Sequence, residues 1–95
     1  MLPAARLGDL TAHGTPLGPG PGSPNVLIQG QPAWRAGVDV HACPYHGAGA
    51  VTMGSPTVLI NNIPAARMSD TAIEGSPPAA VPNVISMGAP TVLIG

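Results

Sequence analysis

The chain has 95 residues, with three arginines, no lysine, four acidic residues and a formal net charge of −1, and its only aromatic residues are Trp34 and Tyr45. That inventory excludes nucleic-acid binding, which draws on clustered basic residues and stacking rings. Thirteen Gly and thirteen Pro would signal disorder or collagen in a polar chain, but Val, Leu, Ile and Ala are plentiful and no Gly-x-y period runs, so the composition predicts one compact, turn-rich β domain over residues 1–95.

At this size a hydrophobic core is only just sufficient, and a metal, oligomerisation or a partner surface would add what it lacks. The opening "MLPAARLGDL" has no basic region followed by a long apolar run, so no ordinary secretory signal is expected. Within it, "PAARLGD" at 3–9 is the second half of a unit whose full form comes next: "GSPNVLIQGQPAWRAGVD" at 22–39 matches "GSPTVLINNIPAARMSD" at 54–70. The closing "GAPTVLIG" at 88–95 repeats the first half again, so joined head to tail the chain holds three units.

Each unit predicts one β-hairpin. A short run, "NVLI" or "TVLI", leads into Gln29-Gly30 or Asn61-Asn62, residues that accept the positive φ of a tight hairpin turn. Val26 and Ile28 then face one side and Leu27 the other. Helices are excluded, because Gly or Pro interrupts nearly every window that could sustain a helical apolar period. The weakly polar stretch from Ala79 to Gly95 is likewise broken by Pro82, Asn83, Gly88 and Pro90 and cannot form a spanning helix.

The scarce charges follow the repeat. Arg6, Arg35 and Arg67 occupy the same slot of Pro-Ala-x-Arg, and Asp9, Asp39 and Asp70 follow three or four residues later. The placement predicts an ion pair with hydrogen bonds to turn backbone, against the alternative of solvated charges that blunt sheet edges.

Four positions after each acid stand His13, Cys43 and Glu74. The middle unit adds His41, two residues before Cys43 and therefore on the same strand face, and His46 after a Pro44-Tyr45 bend. His13, His41, Cys43 and His46 comprise every histidine and the sole cysteine, which leaves no internal disulfide. Three imidazoles and a thiolate form a four-donor shell suited to a closed, structural, tetrahedral Zn²⁺ site. Taken singly, each of these residues would read as a hydrogen-bonded histidine or a small buried cysteine. Glu74 reads as a turn carboxylate or as a partner holding a ligand imidazole through its other nitrogen.

The segments "PAAR", "PAWR" and "PAAR", alternating with "GSPNVLI", "GSPTVLI" and "GAPTVLI" over essentially the whole chain, resemble the PAAR-repeat proteins of bacterial type VI secretion systems. The resemblance implies an all-β fold, a small pseudo-threefold cone of short β-hairpins with a zinc ion near the vertex, held by His13, His41, Cys43 and His46. It also implies a non-enzymatic role: one chain caps the trimeric VgrG spike, sharpening it for membrane puncture and effector delivery. The expected partners are VgrG, effector proteins and, transiently, the target membrane; the expected location is the cytoplasm before firing and the target cell or medium afterwards. The repeats fill residues 1–95, so no toxin or adaptor extension is expected. A phage-tail or extracellular contractile-particle tip fits the same repeat, and a zinc hydrolase with Glu74 as base would need one of the four donors to stay off the metal.

Overall fold

The computed structural model describes residues 1–75 and 80–95, and those residues contain eleven short strands and no helix. The stretch beginning at Ala79 accordingly has its first residue outside the described set. Ala80–Gly95 carries two strands, as its Pro and Gly content requires.

Three two-stranded ladders form one end. Leu27–Ile28 (β3) pairs with Gln31–Pro32 (β4), and Leu59–Ile60 (β7) pairs with Ile63–Pro64 (β8). The third joins the chain ends: Leu2–Ala4 (β1) pairs antiparallel with Ala89–Ile94 (β11), so the head-to-tail unit is a physical hairpin without a connecting turn. In the first two, Gln29, Gly30, Asn61 and Asn62 all have positive φ, between 51° and 82°, the pair of left-handed residues expected of a two-residue hairpin loop. The alternation also holds: Ile28 and Ile60 are buried, while Leu27 and Leu59 are exposed.

The units close into a ring. The Ala5 amide donates to the Ala66 carbonyl (3.0 Å), Trp34 to Ala5 (3.0 Å) and Ala66 to Trp34 (2.9 Å). A second cycle runs Leu7 to Pro32, Ala36 to Pro64 and Met68 to Pro3, at 2.8–2.9 Å. Each bond leaves one unit and enters the next, so the chain has pseudo-threefold symmetry with two full units and one assembled from its ends.

The core repeats the same threefold pattern. Ala4, Ala33 and Ala65 are each at 0 % exposure among Ile28, Ile60 and Ile94, with Val26, Val58 and Val92 packed alongside. A second cluster gathers Ala5, Trp34 and Ala66 with Leu17, Val51 and Ile85, three residues spaced 34 apart. Trp34 is wholly buried where the other units place alanine, and a Cβ at Gly20 would lie 2.9 Å from its ring.

The remaining strands form one antiparallel sheet in the order Val81–Val84 (β10), Thr71–Glu74 (β9), Gly47–Val51 (β6), Val40–Cys43 (β5), Pro19–Gly20 (β2). The molecule is longer than it is wide, 34 × 24 × 22 Å, and is a small all-β cone.

The arginine slots make the predicted ion pairs. Arg6–Asp9, Arg35–Asp39 and Arg67–Asp70 are joined through Nη2 and Oδ1 at 2.8, 2.8 and 2.9 Å, and the other carboxylate oxygen accepts from the same arginine's Nε and backbone amide. The remaining guanidinium nitrogen crosses to the next unit: Arg6 Nη1 to Gln29 Oε1 at 3.1 Å, Arg35 Nη1 to Asn61 Oδ1 at 3.4 Å, Arg67 Nη1 to the Gly95 carbonyl at 3.2 Å. Hydrogen bonding to Asp9 and Asp39 raises the pKa of Arg6 and Arg35 against the effect of burial, so both guanidinium groups stay protonated. Each pair both locks its own turn and joins it to the neighbouring unit.

Candidate metal centre

The threefold arrangement carries the slot after each acid to one place. His13 follows the first turn, Cys43 ends β5 and Glu74 ends β9, and the three converge with His46. His46 arrives through the turn that joins β5 to β6: Cys43 pairs with Gly47, and the His46 amide points at the Cys43 carbonyl at 3.4 Å. The bend at Pro44-Tyr45 returns the ring as its sequence suggests.

One donor atom from each of these four residues lies within 4.8 Å of every other. The individual separations are 3.0 Å from His13 Nδ1 to Glu74 Oε1, 3.4 Å from His46 Nδ1 to Glu74 Oε1, 3.6 Å from Cys43 Sγ to His46 Nδ1 and 4.0 Å from Cys43 Sγ to His13 Nδ1. A tetrahedral ion with bonds of about 2.0–2.1 Å to N or O and about 2.3 Å to S sets N···O edges of ~3.3 Å and S···N edges of ~3.6 Å. The four donors therefore stand close to the spacing one metal ion requires, and His13, Cys43, His46 and Glu74 are a group that could hold it.

Glu74 is the less expected member. It is at 0 % exposure, and every arginine is already committed to an aspartate, so no guanidinium neutralises it. Its Oε2 accepts from Asn83 Nδ2 at 2.7 Å, and Asn83 Oδ1 accepts from the His13 amide at 3.1 Å, so one asparagine orients two members of the cluster. Burial pushes the Glu74 carboxyl up, but hydrogen bonds from Asn83 and Cys43 and the nearby His41 and His13 outweigh it and hold it below the ordinary carboxylate value. A buried anion among two imidazoles and a thiol is an environment suited to a cation.

His41 is placed differently. It shares the inward face of β5 with Cys43, as period-two alternation requires, but its Nε2 meets Glu74 Oε2 and Thr15 Oγ1, each at 3.0 Å, on the side of the carboxylate away from His13 and His46. Its ring is wholly buried and Nδ1 has no hydrogen-bond partner. Burial lowers its pKa, against the opposing influence of Glu74. The structure thus brings His13, Cys43 and His46 together with Glu74, and sets His41 directly behind Glu74.

The signal for Glu74 is present in the sequence. His13, Cys43 and Glu74 are threefold-equivalent, as are Thr11, His41 and Ala72 two residues earlier, and all three of the latter are buried. The repeat register, more than residue type, separates the two sets.

Comparison with known proteins agrees with the architecture. A family model described as the PAAR motif matches residues 8–77 and, in a second overlapping register, 46–95, as expected where consecutive repeats each satisfy it. No curated protein matches the chain. With three hairpin units closed in a ring and a family match that spans nearly all of it, the chain belongs to the PAAR motif family, whose members are structural spike-tip proteins.

Proposed function

We propose that this protein is a zinc-stabilised tip that caps the trimeric VgrG spike of a type VI secretion system, one chain per trimer, and sharpens it for membrane puncture and effector delivery. The observation that carries the reading is the threefold ring. One chain presents the same hairpin three times, and its outward leucines, Leu27, Leu59 and Leu93, are 61, 57 and 50 % exposed. A three-chain spike offers three equal surfaces at its end, and a single chain with three near-equal outward leucines can engage all of them at once. In this proposal the three leucines form the docking surface, and the end of the spike supplies their apolar cover.

The metal has a structural part in this scheme. Toward the narrow end of a cone there is too little volume for apolar side chains to exclude water, and a closed four-donor centre replaces the missing core. The protein is cytoplasmic before firing and leaves the cell with the spike.

Co-purification with a VgrG trimer tests the proposal. One chain per three VgrG chains is expected, with zinc retained, and Leu27→Asp, Leu59→Asp and Leu93→Asp should each weaken the complex while leaving the isolated protein's melting temperature within a few degrees. A 3:3 complex, or binding indifferent to all three substitutions, would refute the single-chain cap.

A further inference from the structure

We infer that the fourth metal ligand is Oε1 of Glu74, and that His41 is a positioning residue that holds Glu74 from behind through Oε2. The inference rests on the reading of the cluster as a metal centre; it does not depend on the spike assignment.

Three observations support it. The first is register: the slot four residues after each acid holds His13, Cys43 and Glu74, whereas His41 falls in the slot two residues earlier, whose counterparts Thr11 and Ala72 are buried packing residues. A ring of three equivalent units brings equivalent slots together, so Glu74 reaches the point to which His13 and Cys43 converge. The second is the division of the carboxylate: Oε1 faces the ring nitrogens of His13 and His46, at 3.0 and 3.4 Å, while Oε2 is taken by Asn83 Nδ2 at 2.7 Å and His41 Nε2 at 3.0 Å. Donors fixed on one oxygen aim the other, as outer partners of metal ligands commonly do.

The third is charge. The sequence has three basic residues and four acids, and each arginine is paired with an aspartate, so Glu74 is the acid left over. Two neutral imidazoles, a thiolate and a carboxylate around a divalent ion give a centre of zero net charge. Three imidazoles and one thiolate would leave a positive centre beside an uncoordinated, fully buried carboxylate. The total charge is the same in both sets, and coordination through Oε1 puts the carboxylate in direct contact with the ion instead of leaving the two opposite charges apart.

X-ray absorption of the zinc-loaded full chain should count one sulfur and two imidazoles; three imidazoles would overturn the assignment. Cobalt(II) substitution reads the same point in variants. Glu74→Cys adds a second thiolate to the ion and should double the thiolate-to-cobalt charge-transfer intensity, while His41→Cys should leave it at the single-thiolate level, and the opposite pattern would refute the inference. For the positioning role, His41→Ala should weaken cobalt affinity about 10- to 100-fold without altering the shape of the d–d spectrum, and His41→Gln, which can still donate to Oε2, should recover part of it. Unchanged affinity in His41→Ala overturns that role. A wild-type protein that takes up neither zinc nor cobalt would refute the metal centre itself, an outcome distinct from all of these.

Discussion

Replacing Trp34 with alanine would perfect the repeat, turning Pro-Ala-Trp-Arg into the Pro-Ala-Ala-Arg of the other two units, and it should nonetheless destabilise the protein. Trp34 is at 0 % exposure, packed with Ala5, Leu17, Val51, Ala66 and Ile85, and its ring fills the space over Gly20. Truncating a fully buried aromatic to alanine costs about 3–5 kcal/mol in transfer and cavity terms. Part is returned: Trp34 Nε1 is buried without a partner, and removing an unsatisfied donor recovers about 1–2 kcal/mol. The net expectation is ~1–4 kcal/mol, which for a domain of this size lowers the melting temperature by roughly 5–30 °C. Thermal and urea denaturation at saturating zinc read this directly. A Trp34→Ala protein as stable as wild type would show that the unit reverts to threefold packing without a cavity, and that the asymmetry of the core is dispensable.

Three further outcomes are expected. Asp39, at 0 % exposure, accepts from the Arg35 amide and guanidinium and from the Gly22 amide, so Asp39→Ala should cost about 3–5 kcal/mol by leaving a cation and two amides unpaired, measurable by denaturant midpoint. A Cβ at Gly49 would overlap the Ile73 carbonyl and stand 2.8 Å from the Glu74 Cα, so Gly49→Ala should push β9 away from β6 and lower both stability and metal affinity; a loss of stability with metal affinity intact would refute the coupling. Chelation should lower the melting temperature by more than ~15 °C, since a ligand present at 1,000 times its dissociation constant contributes about 4 kcal/mol, and hydrogen exchange should show the loss first at residues 43–47 while the β3–β4 and β7–β8 hairpins stay protected. An unaltered melting curve after metal removal would rule out a structural ion.

The hairpins were legible in the sequence because three constraints coincide in each. The β-branched run sets the strand, Asn61-Asn62 or Gln29-Gly30 sets the turn, and alternation assigns Ile28 inward and Leu27 outward. The arginine pairs were legible for a similar reason: a charge that recurs at one slot with an acid three or four residues on has a local partner within reach. The five-stranded sheet was harder to see. Gly47–Val51 is almost entirely Gly and Ala, and in Val40–Cys43 and Thr71–Glu74 the buried positions include His41 and Glu74 while Val40 and Ile73 face outward, so the polarity pattern does not mark these strands and tertiary pairing defines them. Strand alternation correctly places His41 on the side of Cys43, but it is a two-state rule and cannot say how far along that face a side chain ends. The position of Glu74 between His41 and the cluster decides that, and it depends on β9 lying next to β6, a contact between residues more than twenty positions apart.

The distribution of polarity explains why a chain with so few charges can fold at this size. At the hairpin end the ring needs no metal: backbone bonds link each unit to the next, guanidinium groups cross the same boundaries, and Ala4, Ala33 and Ala65 let the units approach closely. Threefold repetition serves well there, because equivalent residues meet equivalent neighbours. Where the units converge further along, identical residues would crowd one another with identical charge or bulk, and the repeat diverges into imidazole, thiolate and carboxylate. Three different donors at equivalent positions can share one ion, whereas three carboxylates or three bulky apolar groups at that spacing would repel or clash. The sequence therefore keeps its symmetry where backbone bonds close the ring and departs from it at His13, Cys43 and Glu74, where equivalent positions bring donor atoms within reach of one another.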